Sequence, residues 1–131
     1  MLTPPKKGSN LDDGLLTASE ITDLKLNADW VILSACNTAS GGKPGAEGLS
    51  GLARSFFYAG AKSLLVSHWP VESRAATRLT TKMFEVLRSD PTIGRSEALR
   101  RSMMSLASND NYSHPALWAP FVVVGEGGAQ R

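Results

Sequence analysis

Residues 30–42 read WVILSACNTASGG. Val31, Ile32 and Leu33 form a short apolar run, Ser34-Ala35 close it, and Cys36, the chain's single cysteine, comes next. Small and polar residues then take over through Gly42. An apolar run without alternation is the pattern of a strand buried on both faces, and such strands belong mostly to parallel sheets. A strand over 30–35 therefore puts the thiol where strand becomes loop. In an open α/β sheet, that carboxyl edge is where ligands and catalytic groups collect.

Downstream, apolar residues at Leu49, Leu52, Ala53, Phe56 and Phe57 have the one-faced spacing of a helix starting near Glu47. Gly60 stands where helices often end in a left-handed residue. Ser63 to His68 (SLLVSH) reads as a second buried strand, closed by Trp69-Pro70. Strand, loop, helix, strand is a βαβ unit, whose two strands should be parallel neighbours. Two further helices are predicted, at 73–89 with Ala76, Leu79, Met83, Val86 and Leu87 inward, and at 94–107 with Leu99, Met103 and Leu106 inward. Asp90-Pro91 separates them. Phe121 to Val124 is a third apolar strand, and the tail from Gly125 has no pattern. Upstream, residues 1–10 read as an extended lead-in and Asp12-Asp13-Gly14 as a turn. Thr17 with Glu20 three residues on is the signature of a capping box, opening a short helix over 18–24.

The 131 residues suit one domain with its own core. A hydrophobic share of 42% with 20% charged residues excludes a disordered chain. Fourteen basic against twelve acidic residues leave +2, too little for a nucleic-acid or membrane-surface protein. No apolar run approaches the ~20 residues of a membrane span, and the N-terminus lacks a signal-peptide core. One cysteine allows no intrachain disulfide, which fits a reducing compartment, and the cytoplasm is expected. The glycines at 41, 42, 45 and 48 lack the G-K-[ST] of a phosphate loop, so no nucleotide is expected, nor any other cofactor or metal.

Three segments together carry a resemblance: LSACNTASG at 33–41, EGLSGLARSFFYAGAKSLLVSHWPV at 47–71 and HPALWAPFVVVG at 114–125. In this order they resemble the CHAT domain, a member of the caspase and separase group of cysteine peptidases. The resemblance covers about residues 12–125 and implies a layered, parallel-sheet α/β fold of caspase type. With about three main strands and flanking helices, the chain reads as one partial domain over 1–131, its first strand having no outer neighbour other than a short extended piece near Leu2. The resemblance implies that Cys36 is the nucleophile and that its N–H helps hold the oxyanion. In the family the general base is a histidine upstream, in an H-x-x-T-H-G pattern. No histidine precedes Cys36 here, so the chain reads as the C-terminal portion of such a domain. Without that base Cys36 is expected to react poorly when alone, since a free thiol has a pKa near ~8.5.

His68 and His114 are the two histidines present. His68 ends the strand expected beside that of Cys36 and is the candidate substitute base, whereas His114, before Pro115, is read as structural. Trp69 and Glu72, in a W-P-V-acidic segment like that of the family, are candidates for lining a substrate pocket, with Glu72 selecting a basic side chain. For Glu72, as for Glu47, the competing reading is an acid placed at a helix N-terminus. The function expected is a CHAT-type cysteine endopeptidase fragment acting on a peptide or protein substrate. The alternative is a non-catalytic module that binds partners or oligomerises through its open sheet edge. Family members often follow helical-repeat regions, which makes such a region of a parent chain an expected partner, alongside a homo-oligomer. A redox-sensing role for Cys36 lacks a second, resolving cysteine.

Overall fold

The computed structural model describes residues 16–33 and 51–128. Cys36, Glu47, the glycine-rich loop and the lead-in of residues 1–15 lie outside the described residues. In chain order the elements are α1 (Ala18–Asp23), β1 (Val31–Ile32), α2 (Gly51–Tyr58), β2 (Ser63–Ser67), α3 (Ser73–Ser89), α4 (Arg95–Ala107), a 3-10 turn (Pro115–Leu117) and β3 (Phe121–Gly125).

The three strands form one sheet in the order β1-β2-β3. β1 pairs with β2 in parallel, Val31 opposite Leu64 and Ile32 opposite Leu65. The ladder is extended by Leu33, whose N–H donates to the Leu65 carbonyl at 2.9 Å. The sheet is mixed, however, not all parallel: β3 runs against β2, from Ser63 opposite Gly125 to Ser67 opposite Phe121. A five-residue apolar strand carries no mark of direction. Here the long link from α4 delivers the chain to the carboxyl end of β2, so β3 must run back.

Every residue of β2 is buried, as its unbroken apolar run requires. Leu64 and Val66 face one layer, where they pack with Ile21 of α1 and with Ala53 and Phe56 of α2. Leu65 faces the other, with Leu79 and Met83 of α3 and Ala98, Leu99 and Leu106 of α4. Sheet residues of alternating parity thus serve two helix layers, and each fully buried Leu contributes at most ~3 kcal/mol. On α3 the buried positions are Ala75, Leu79 and Met83, while Ala76, Val86 and Leu87 pack at the margin.

Local signals set the element ends. Thr17 and Glu20 form the expected capping box: the Thr17 side chain accepts from Glu20 N–H, and Glu20 Oε2 accepts from Thr17 N–H at 2.8 Å. α1 ends at Asp23, one residue short of the expected 24. Gly60 takes φ +101° after α2, the left-handed stop read from its position. Ser63, fully buried, donates its hydroxyl to the Asp29 carbonyl at 3.1 Å, so its polarity is satisfied.

Candidate active site at the carboxyl edge of the sheet

At the carboxyl end of β2 the backbone bends at His68 and Trp69. His68 follows the last strand residue directly, and its side chain is exposed. Its N–H donates to the Pro120 carbonyl at 3.0 Å, extending the β2–β3 ladder by one bond. Trp69 is next. Its indole N–H donates to the Ala116 carbonyl at 3.1 Å, while 43% of the residue faces solvent. The indole is thus anchored by its N–H while the residue stays partly open to solvent.

The strap that receives these bonds is built by His114. Its Nδ1 accepts from the Ala116 N–H at 3.2 Å, capping the 3-10 turn, and Pro115 occupies the first turn position. His114 is thus structural, as its place before Pro115 suggested. Trp118 stays with the strap, donating its indole N–H to the Ser113 carbonyl at 3.4 Å. The Ala116 and Pro120 carbonyls were not foreseen as parts of the site. The repeated His-Pro and Ala-Pro pairs around them were the available signal, since each marks a turn.

Glu72 is the N-cap of α3, and its Oε2 accepts from the Ala75 N–H at 3.1 Å. That is the helix-terminus role set against substrate selection. One carboxylate oxygen is engaged with the helix terminus, four residues beyond His68 in sequence.

Electrostatics divide the two rims of the sheet. At the opposite rim, where β1 and β2 begin, Lys62 Nζ lies 2.8 Å from Asp29 Oδ1. Hydrogen bonding to Lys62 holds the Asp29 carboxyl below its ordinary pKa and raises that of Lys62 in turn. On α4, hydrogen bonds from Arg100 and then Arg101 bring Glu97 down to about 2. Neither network reaches the His68 edge. Among the described residues no group of three or more His, Cys, Asp and Glu is placed to hold a metal ion.

The family model of the CHAT domain matches residues 1–126. The chain belongs to the CHAT domain family. This domain is one of the caspase-like group, and the mixed three-stranded sheet between helices agrees with part of such a fold. Two curated relatives of the CHAT chain are tetratricopeptide repeat protein 28 of Mus musculus and of Homo sapiens. The first is 35% identical over 111 residues, 85% of this chain and 4% of the relative. The second is 35% identical over 115 residues, 88% of this chain and again 4% of the relative. The chain therefore spans a small fraction of the length of the relatives it matches. No solved structure matches it. Among the described residues, no helix of this CHAT chain is long and apolar enough to cross a membrane.

Proposed function

We propose that this chain carries the nucleophile side of a cysteine-peptidase centre, with Cys36 attacking a peptide carbonyl and His68 as the base available within the chain. The observation that carries the reading is the parallel β1–β2 pairing. Its offset sets Leu33 level with Val66, so the carboxyl ends of both strands reach the same rim. Cys36 is three residues beyond Leu33, and covalent geometry keeps their Cα atoms within ~11 Å. His68 is two residues beyond Val66. The bend at His68 matters to this reading. Strict strand alternation past the ladder would send Cys36 and His68 to opposite faces, and a bend releases the imidazole from that rule.

In the proposed reaction the imidazole takes the thiol proton and the thiolate adds to the scissile carbonyl. The oxyanion is held by backbone N–H groups, that of Cys36 among them. Collapse breaks the C–N bond, and the imidazolium gives its proton to the leaving amine. Water then cleaves the thioester with the imidazole again as base. The Trp69 ring lines the pocket and Glu72 favours a basic side chain at its mouth. The partial domain over 1–131 works beside a helical-repeat region, a reading supported by the repeat-protein names of the relatives.

A test is mass-spectrometric detection of cleavage in a mixed peptide library. Slow, Cys36-dependent cleavage that His68→Ala reduces further is expected. Cleavage unchanged in Cys36→Ser, or no cleavage beyond buffer, would overturn the proposal.

A further inference from the structure

A groove of about 640 Å³ runs along the outer face of α3 and is closed by the end of α4 and the loop after it. Its floor carries Arg74, Arg78 and Lys82, at i, i+4 and i+8 of one helix. The far wall holds Ser105 and Tyr112. The Arg78 guanidinium lies 5.2 Å from the centre of the Tyr112 ring, a cation-π contact that restricts the side chain. Lys82 is paired with Glu85 at 3.3 Å, so the acid sits at the end of the stripe farther from the sheet's carboxyl edge.

Arg100 and Arg101 are matched to Glu97, and Lys62 to Asp29, whereas Arg74 and Arg78, like Lys25 and Arg88, have no carboxylate partner among the described residues. Arg74 and Arg78 differ from those two in lining one groove together. Arg74 lies in the first turn of a 17-residue helix, where the dipole's positive potential is partly offset by the Glu72 carboxylate capping it, and Arg78 lies one turn further on. In a chain of net charge +2, this is a local concentration of positive charge, not a general one.

We propose that the groove binds an acidic segment of polypeptide in extended conformation. The spacing selects that partner. Cations four residues apart on a helix are separated by ~6 Å along its axis. Alternate residues of an extended chain repeat at ~6.7 Å on one face. Carboxylates at alternate positions therefore meet Arg74 and Arg78 in turn, with the Tyr112 ring covering the intervening backbone. The site is independent of Cys36 chemistry, and begins next to the edge where Glu72 and Trp69 stand.

The test uses the whole chain carrying Cys36→Ala and a fluorescein-labelled dodecapeptide of alternating Glu and Ser, read by fluorescence anisotropy. Saturable binding is expected, weakened about tenfold in Arg74→Gln/Arg78→Gln by loss of two exposed ion pairs. The charge-matched Arg100→Gln/Arg101→Gln control should bind like the parent, and an alternating Lys-Ser peptide should not bind. Three results would overturn the proposal: no saturable binding, equal weakening in both double variants, or tighter binding of an RNA dodecamer than of the acidic peptide. Circular dichroism of each variant verifies that helix content is kept. Because Cys36 is already removed, failure here leaves the peptidase proposal to its own test.

Discussion

Gly125→Ala should cost the protein about 3 kcal/mol, because the last residue of β3 has neither the backbone nor the room for a side chain. Gly125 sits at φ +93°, where an L residue loses roughly 1–2 kcal/mol. A Cβ placed there would lie 2.5 Å from the Lys62 carbonyl oxygen and 2.9 Å from Phe57 Cε1. The Phe57 ring can shift. The Lys62 carbonyl is less free, because it accepts the Glu126 N–H at 3.0 Å while the Lys62 N–H is held by the Ala28 carbonyl at 2.9 Å. Displacing it strains that bond and the edge of the sheet, an overpacking cost of about 1–2 kcal/mol. The two contributions give about 3 kcal/mol. Urea unfolding followed by tryptophan fluorescence would read this directly. With a slope of about 2 kcal/mol per molar urea for a chain of this size, the midpoint should fall by about 1.5 M at unchanged slope. A midpoint within about 0.3 M of the parent would refute the geometry of the β2–β3 end, and with it the register that brings His68 beside Pro120.

Further outcomes follow from single contacts. Glu72→Ala should lower stability by about 1 kcal/mol through loss of the α3 cap, and Glu72→Gln, which keeps an accepting oxygen, by clearly less. Equal losses in the two urea titrations would argue that the charge, not the cap, is what α3 uses. Glu97, depressed to about 2 by its two arginines, stabilises the fold fully above its ordinary pKa of 4.5. That contribution is lost as pH falls through the folded value. The stability gap between parent and Glu97→Gln should therefore be constant above about pH 5 and narrow towards pH 2. A gap that stays constant down to pH 2 would contradict the paired geometry. Leu79→Ala, in the α3 face under β2, should cost about 2–5 kcal/mol in the same assay, since Leu79 is fully buried.

Much of this fold is legible in short patterns. The Leu64-Leu65-Val66 run reads as a doubly buried strand because its apolar residues do not alternate with polar ones, and the burial ends at Ser67, one residue before the exposed His68. The Thr17–Glu20 pair announces α1, and Gly60 ends α2, because each reports a hydrogen bond or backbone angle fixed within one turn. The direction of β3 was not legible, since FVVVG is apolar in either sense and only the path from α4 decides it. The burial of Arg95 was hidden for a related reason: its guanidinium donates to the Glu126 carbonyl at 3.1 Å, 31 residues away in sequence. The groove was hidden too. Arg74, Arg78 and Lys82 read as an ordinary solvated helix face until Tyr112 is brought against Arg78. At the candidate site, His68 and Trp69 stand where the strand end put them. The carbonyls that hold them belong to a strap some fifty residues downstream, and pairings across that distance are made by topology, not by local composition.

The most direct test of the central claim is the rate of Cys36 alkylation by iodoacetamide between pH 5 and pH 10, in the parent chain and in His68→Ala. A thiol coupled to the imidazole should give an apparent pKa below the ~8.5 of a free cysteine, and His68→Ala should return it to that value. Identical profiles for the two proteins would contradict the pairing of Cys36 with His68.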